Sequence, residues 1–278
     1  MILIVDSGSS KADWVLLNKD QIFSQLKTKG INPFFQSSNE IHDLVKNTFE
    51  LSQADKIENI FFYGAGCIKN QNTDIIQNGL QKYFKNAEIE VEDDMIGTAR
   101  SIFGNKPGIA CILGTGANSC KYDGVNIIEK VPSLGYILGD EASGAYFGKI
   151  LLNNYFKNMM PKDLADKFNI EYKPAESEIL NQVYKQPYPN RFLAKFTYFL
   201  SKNLNHIYVQ NLLAKGFEIF IRMNIFKYNN FQNYPVGFNG SIAYHFSGIL
   251  NEVAVKNKIK IDTIIEKPID GLIRYHLK

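Results

Sequence analysis

The sequence predicts an α/β protein with two related domains, each built on a mixed five-stranded sheet with flanking helices. Apolar strands alternate with amphipathic helices along the chain, which is typical of this class. An apolar strand, a short turn of small residues and a second strand occur at residues 2–17 and again at 108–122. Their recurrence at the head of each half favours a duplicated fold.

The first half shows the order of three strands, helix, strand, helix, strand, helix. The strands are expected near residues 2–5, 12–17, 22–27, 57–63 and 87–91. A helix should begin at Ser38 or Asn39, which are good N-caps, and a second should carry the apolar residues from Ile75 to Phe84. This βββαβαβα order is typical of a ribonuclease H-like domain.

The second half begins in the same way and then gains helical insertions. Strands are expected near residues 109–113, 117–122, 126–130, 235–239 and 259–264, and residues 140–230 are predicted to form several amphipathic helices. Pro268 should open a short terminal helix. We therefore expect an N-terminal domain of residues 1–106 with 266–278, and a C-terminal domain of residues 107–265.

Composition narrows the possible partners. The net charge of +3 is small and the lysines are scattered, which argues against nucleic acid. No stretch approaches the roughly 20 apolar residues that span a bilayer, so we expect a cytoplasmic protein without membrane contact. Cys67, Cys111 and Cys120 show no CxxC spacing, which predicts reduced thiols in strands rather than a metal centre or a disulfide.

The two turns suit phosphate binding. Small residues allow backbone N–H groups to approach phosphate oxygens, and Asp6 stands where a hydrated Mg²⁺ could bridge to them. A single turn of this kind is equally compatible with an ordinary β-hairpin. The second copy, Gly114-Thr115-Gly116, favours two phosphate turns, one at the head of each half of the chain. The two halves would then hold one nucleotide.

Several polar or glycine-rich segments follow predicted strands. Ligands of open α/β sheets bind at the carboxyl ends of the strands. Phosphoryl transfer needs backbone donors for phosphates, a carboxylate for Mg²⁺ and a second carboxylate that deprotonates the attacking hydroxyl. The segments at these positions are Asp6, Gly64-Ala65-Gly66, Asp94, Gly114-Thr115-Gly116, Asp140 and residues 237–241.

Four motifs occur in order along the chain. They are Asp6-Ser-Gly8-Ser-Ser-Lys11, Asp94-Met-Ile-Gly97, Gly114-Thr115-Gly116-Ala-Asn118-Ser119 and Gly139-Asp140-Glu141-Ala-Ser143. Together they resemble the N-acetylglucosamine kinase group of the BadF/BadG/BcrA/BcrD ATPase family, which lies within the superfamily of sugar kinases, heat-shock-protein-70 and actin. The resemblance covers essentially the whole chain, although Ala142 stands where the group commonly has glycine.

The resemblance also implies roles for individual residues. Asp94 would be the general base, Gly97 would let its helix pack closely, and Asp6 would hold Mg²⁺ through water. The sugar would contact Asn32, Asp94, Asn118, Gly135 and Asp140. The ATP phosphates and adenosine would contact Gly8, Ser9, Ser10, Lys11, Gly114, Thr115, Gly116, Gly237, Gly240 and Ser241.

Simpler structural roles remain open for some of these residues. Asp140 could cap a helix, and Asn32 before Pro33 suits a turn. Trp14 is expected in the core rather than on a sugar. The four histidines are expected to be structural or surface residues in helices.

The resemblance implies an ATP-dependent sugar kinase that acts with Mg²⁺ on an amino sugar, with N-acetylglucosamine at O6 as the leading substrate. Glucosamine and N-acetylmuramic acid are alternatives. An activator-type ATPase without a sugar acceptor, a sugar sensor and an actin-like cytoskeletal ATPase are the rival classes. The resemblance also favours a homodimer.

Overall fold

The computed structural model describes residues 1–8, 11–19 and 21–277. The chain divides into two compact units, of which one comprises Met1–Lys106 with Pro268–Lys278 and the other Pro107–Lys267. Each unit contains a five-stranded mixed sheet with helices against it, so the predicted fold class is confirmed.

The N-terminal unit has the sheet order β3-β2-β1-β4-β5. Strands β1 to β3 form an antiparallel meander, whereas β1, β4 and β5 run parallel. The elements are β1 (Ile2–Ser7), β2 (Lys11–Asn18), β3 (Gln21–Lys29), α1 (Ser38–Lys46), α2 (Leu51–Ala54), β4 (Asn59–Gly64), α3 (Thr73–Gln81), β5 (Glu88–Asp93) and α4 (Asp94–Phe103).

The carboxyl ends of the three parallel strands are in register. Ser7 pairs with Gly64, and Gly64 pairs with Asp93 on the next strand. The predicted Asp94 follows this row directly, as the first residue of α4. Alternation along β1 sends Leu3 and Val5 into the core that also buries Trp14, as expected for that residue.

The C-terminal unit has the sheet order β10-β9-β6-β7-β8, in which β6, β9 and β10 run parallel. Its strands are β6 (Gly108–Leu113), β7 (Ala117–Tyr122), β8 (Ile127–Val131), β9 (Val236–Asn239) and β10 (Ile261–Ile265). A large aromatic-rich core lies between this sheet and the inserted helices.

The helices of the C-terminal unit fill the long segment between β8 and β9 and flank β10. They are α5 (Gly135–Leu138), α6 (Gly144–Phe156), α7 (Lys162–Tyr172), α8 (Glu176–Tyr184), α9 (Pro189–Ala194), α10 (Thr197–Lys202), α11 (Ile207–Met223), α12 (Ser241–His245) and α13 (Ser247–Lys256). The terminal helix α14 (Ile269–His276) packs in the N-terminal unit against α4.

Some predicted details are wrong. Helix α1 is capped by Ser37, not by Ser38 or Asn39, because Ser37 and Glu40 form a reciprocal capping box. Helix α3 ends at Gln81, before Phe84. Cys67 lies in the loop after β4 rather than in a strand, and His206 is the N-cap of α11 rather than a helical residue.

Within residues 1–8, 11–19 and 21–277, no helix combines the length and the apolar character needed to cross a membrane.

Candidate active site

The first hairpin places one carboxylate and one lysine at the end of β1. Gly8 N donates to Lys11 O over 3.1 Å and closes the turn, and the Lys11 residue is exposed. Asp6 is half-buried and lies directly opposite Asp13 on β2. The predicted phosphate contacts Ser9 and Ser10 lie outside the described residues.

Ser7 anchors the loop that carries Asn32. The buried Ser7 Oγ donates to Ile31 O over 3.0 Å and accepts from Ile31 N over 2.8 Å. Two bonds from one side chain therefore fix the residue before Asn32 against the end of β1. The motifs did not predict this role of Ser7, although a serine that continues the inward-facing series of Leu3 and Val5 indicates a buried hydroxyl with local partners.

Asn32 presents one end of its amide. Its Oδ1 accepts from Phe34 N over 2.9 Å, which gives the expected turn, and its backbone N donates to Gln36 Oε1 over 2.8 Å. Among the described residues, Nδ2 has no acceptor, and the Asn32 residue is half-buried. The turn and a ligand contact are thus compatible, because they use different atoms of the same amide.

Asp94 occupies the N-terminus of α4, and its neighbour Asp93 performs the capping. Asp93 Oδ1 accepts from Met95 N over 2.7 Å, while Asp94 is half-buried in the first helical turn. A helix N-terminus stabilises negative charge there. Gly97 brings this helix against β4, because a Cβ at Gly97 would lie 2.9 Å from Tyr63 Cβ.

The loop after β4 connects the surroundings of Asn32 with those of Asp94. Gly66 has φ +81°, and a Cβ there would lie 2.8 Å from Asn32 Oδ1. The next residue, Cys67, has a thiol pKa raised to about 12, first by burial and then by the negative charges of Asp94, Asp93 and Glu92. The loop follows Gly64, which pairs with Asp93, so Asn32 and Asp94 lie beside the same loop.

The second hairpin is fastened to the start of α6. Gly114 N donates to Gly116 O over 3.0 Å, and the carbonyls of Gly114 and Thr115 accept from Gly144 N at 2.8 Å and Ala145 N at 3.1 Å. These bonds use the three carbonyls of the turn. The N–H groups of Thr115 and Gly116 have no backbone acceptor among the described residues, so they suit an anion.

Asp140 belongs to this hairpin rather than to a helix cap. Its Oδ1 accepts from Ala117 N over 3.1 Å, and its Oδ2 would lie 3.0 Å from a Cβ on Gly116. Ser143 caps α6, so the capping alternative for Asp140 is wrong. The residue is only 7% exposed, and this burial raises the pKa of its carboxyl group.

The loop predicted to lie under adenosine follows β9. Gly240 has φ +116° and donates from N to Ile265 O over 3.0 Å. A Cβ at Gly240 would lie 2.4 Å from Leu113 O, so this loop packs directly on the end of β6. Gly237 is buried on β9, and Ser241 is exposed at the start of α12.

The two remaining predicted contacts, Asn118 and Gly135, lie in the same unit as Asp140. Asn118 Oδ1 accepts from Ser119 N over 3.0 Å. Gly135 has φ +70° and no neighbouring atom within 4 Å of its Cβ position. The structure therefore brings Gly114, Gly116, Gly240 and Asp140 together in one unit, and Asp6, Lys11, Asn32 and Asp94 in the other.

The comparisons with known proteins agree with this architecture. A structure of a candidate N-acetylglucosamine kinase from Porphyromonas gingivalis matches with a TM-score of 0.95 and 39% identity, over 100% of this chain and 99% of that one. A second candidate N-acetylglucosamine kinase, from Chromobacterium violaceum, matches at 15% identity and a TM-score of 0.65, over 100% and 98% of the two chains.

A ROK family glucokinase from Streptomyces griseus, in complex with glucose and AMPPNP, shares the fold at 13% identity and a TM-score of 0.56, over 98% and 97% of the chains. No family model and no curated protein matches the sequence.

Fold and motifs together define the class of ATP-dependent carbohydrate kinases with actin-like ATPase domains. The full-length match at 39% identity shows that the chain belongs to the N-acetylglucosamine kinase-like family. The resemblance inferred from the four motifs is confirmed.

Proposed function

We propose that this protein transfers the γ-phosphoryl group of ATP to a hydroxyl of an amino sugar, with N-acetylglucosamine as the substrate and O6 as the acceptor. The observation that carries the proposal is the full-length similarity to a candidate N-acetylglucosamine kinase at 39% identity. The placement of Asp94 and Asn32 around one loop supports it.

In this proposal Asp94 accepts the proton of the attacking hydroxyl. Its carboxylate stands in the first turn of α4, beyond the cap that Asp93 provides, so it is not needed to start the helix. Asn32 Nδ2 would donate to the same sugar. A base held on a helix and a donor held on an anchored loop would orient the hydroxyl before transfer.

The Gly114–Gly116 turn is assigned to phosphate oxygens of ATP, and Lys11 of the first hairpin is assigned to a charge contact with an anion. The turn is rigid because its carbonyls are already bonded, so its N–H groups need no rearrangement to donate. Lys11 is exposed at the start of β2 and can reach an anion.

Mg²⁺ is assigned to Asp6 of the first hairpin. Asp6 lies opposite Asp13 on β2, and Lys27 Nζ lies 4.0 Å from Asp13 Oδ1, so Asp6 is the carboxylate that we assign to the metal. Carboxylate oxygens are the ligands that Mg²⁺ prefers. When bound, the ion would neutralise negative charge on the phosphates. Among the described residues there is no cluster of three or more side chains that could hold a metal, so Mg²⁺ would be held largely by water and phosphate.

An ADP-release assay over a panel of amino sugars tests the proposal. We expect release that depends on N-acetylglucosamine, with phosphate found at O6 of the product. Hydrolysis that proceeds equally without any sugar would overturn the proposal in favour of an ATPase.

The Asp94→Asn variant tests the assigned base. We expect a loss in kcat of about 10²–10⁴-fold with ATP binding retained, because amide nitrogen cannot accept the proton. Asp93→Asn is the matched control, since asparagine also caps helices and should retain activity. A variant at Asp94 that keeps more than a few per cent of turnover would remove it from this role.

The Gly114→Ala variant tests the phosphate turn. No atom lies within 4 Å of a Cβ at Gly114, so the folded chain should tolerate the methyl group. We expect unchanged thermal stability and a KM for ATP raised about tenfold or more, because the methyl group obstructs phosphate. Gly248→Ala, in equally open space on α13, is the control. An unchanged KM would place the phosphates elsewhere.

An activator-type ATPase is the less favoured alternative. Such a protein would need thiolates at the surface to share a cluster with a second copy, whereas Cys67, Cys111 and Cys120 are all buried. Burial also raises the pKa of the Cys111 thiol and so disfavours the thiolate.

A further inference from the structure

The loop that follows β3 exposes an aromatic ring beside the sugar-binding asparagine. Phe34 is 62% exposed, although its backbone is held in a defined turn. We propose that the ring of Phe34 is a specificity-determining contact that binds the acetamido methyl of the sugar, while Asn32 Nδ2 donates to the acetamido oxygen. This inference rests on the proposed function and names the part of the substrate that this loop recognises.

The position of the ring is fixed relative to the Asn32 amide. A Cβ at Gly66 would lie 3.0 Å from Phe34 Cδ2 and 3.0 Å from Asn32 Nδ2, so the edge of the ring and the amide lie side by side over one glycine. The bond from Phe34 N to Asn32 Oδ1 sets which end of the amide is presented. The hydrogen-bond donor Asn32 Nδ2 therefore lies next to the apolar surface of the Phe34 ring.

The loop itself is held in place from both sides. Ile31 is bonded twice to the buried Ser7 hydroxyl, Pro33 is buried, and Gln36 Oε1 accepts from Asn32 N. The Phe34 ring is thus exposed on a fixed loop, and a ligand contact would cost little ordering.

The chemistry of this pair matches an acetamido group. That group has a carbonyl oxygen, which accepts a hydrogen bond, next to a methyl group, which gains by leaving water. A hydroxyl or an ammonium at the same carbon would meet the ring with a polar group and would lose the apolar contact. The loop of Gly66 begins after Gly64, which pairs with Asp93 at the end of β5, so the pair lies at the same edge of the sheet as the proposed base Asp94.

The test measures kcat/KM for N-acetylglucosamine and for glucosamine in the wild-type protein, Phe34→Ala and Phe34→Leu. We expect Phe34→Ala to reduce the preference for the acetylated sugar by about five- to tenfold, the effect of losing one buried methyl contact. Phe34→Leu should retain most of it, because leucine restores an apolar surface. The KM for ATP should not change.

Phe23→Ala is the control, since Phe23 is an exposed phenylalanine on β3, outside the loop. The melting temperatures of all variants should match the wild type, because both rings are exposed. An unchanged preference in Phe34→Ala, or an equal loss for the two sugars, would overturn the acetamido contact. Absence of sugar-dependent ADP release in the wild type would instead overturn the proposed function, so the two failures are distinguishable.

Discussion

At the scale of single residues, the segment before α6 has an unusual backbone. Leu134, Asp140 and Ala142 all have positive φ values, of 60°, 55° and 60°. This conformation costs free energy in residues other than glycine. Asp140 adds a further cost, because its carboxylate is buried with a raised pKa. Such costs concentrate at functional sites, which fits the sugar contact proposed for Asp140.

Substitutions of Asp140 separate stability from activity. In Asp140→Asn the amide oxygen can still accept from Ala117 N, and the buried charge is removed. We expect a melting temperature equal to or above that of the wild type, with sugar-dependent kcat/KM reduced about tenfold to hundredfold through loss of a charged hydrogen bond. Thermal melts and ADP release measure the two quantities.

The control for that prediction is Asp140→Ala. It leaves Ala117 N without its acceptor and should lower both the melting temperature and activity. Full activity in Asp140→Asn would show that the carboxylate serves only the hairpin.

Local patterns in the sequence predict some of the candidate site residues and not others. Asp94 could be proposed because a carboxylate follows an apolar strand in a recognisable motif. The contact between Gly66 and Asn32 could not be predicted from the sequence, because it joins two loops that are far apart in the chain. Alternation along β1 predicts that the Ser7 hydroxyl is buried, whereas the turn composition of the hairpin indicates only a phosphate site.

At the scale of elements, a polar network joins the terminal helix to the helix that carries Asp94. Arg100 Nη1 on α4 donates to Tyr63 Oη over 2.8 Å and to Glu90 Oε1 over 2.7 Å. The Tyr63 hydroxyl also bonds His276 Nε2 on α14 at 2.8 Å. Removal of the Tyr63 hydroxyl would take away the partner that Arg100 and His276 share. We therefore expect α14 to support the position of α4.

The contact between α14 and α4 depends on one glycine. A Cβ at Gly271 would lie 2.3 Å from Ser101 O, a backbone atom that cannot rotate away. We expect Gly271→Ala to lower the free energy of unfolding by about 1–3 kcal/mol, since α14 must shift to fit the methyl group. Urea denaturation measures the change.

Gly248→Ala is the matched control for this contact too, because its helical position is exposed and open. It should leave stability unchanged or raise it by less than about 1 kcal/mol. Equal effects of the two substitutions would mean that the close approach of α14 to α4 does not contribute to stability.

The boundaries of the helices are set by local capping and packing interactions. The capping box Ser37-x-x-Glu40 was present in the sequence and defines the start of α1 better than the serine that follows it. The end of α3 was overestimated because Tyr83 and Phe84 continue the apolar spacing, although they pack from the loop beyond the helix.

At the scale of the whole molecule, the sequence predicted the fold class because a hairpin and the following strands and helices recur. Periodicity cannot reveal strand order, which places β4 between β1 and β5. That order aligns Ser7, Gly64 and Asp93 and sets the positions of Asn32 and Asp94 at one edge of the sheet. The site thus needs contacts between segments that the sequence pattern treats separately.

Protonation of His276 should contribute to the pH dependence of folding for the whole chain. Burial, followed by the positive charge of Arg100, lowers the pKa of this histidine from 6.5 to about 4. The unfolded chain therefore binds the proton first, and the free energy of unfolding falls as pH decreases from about 6.5 to 4. Above this window the histidine is neutral in both states and contributes no slope.

The His276→Gln variant isolates this contribution, because glutamine can bond Tyr63 Oη without titrating. We expect the loss of melting temperature between pH 7.5 and pH 5 to be smaller in the variant than in the wild type by about 4–8 °C, the shift that roughly 2 kcal/mol produces in a protein of this size. His245→Gln should retain the wild-type slope, since His245 is exposed beside Glu266. If His276→Gln loses as much stability on acidification as the wild type, other groups carry the acid sensitivity. A smaller loss in the variant would show that protonation of His276, which bonds Tyr63 Oη from α14, lowers the stability of the folded chain at acidic pH.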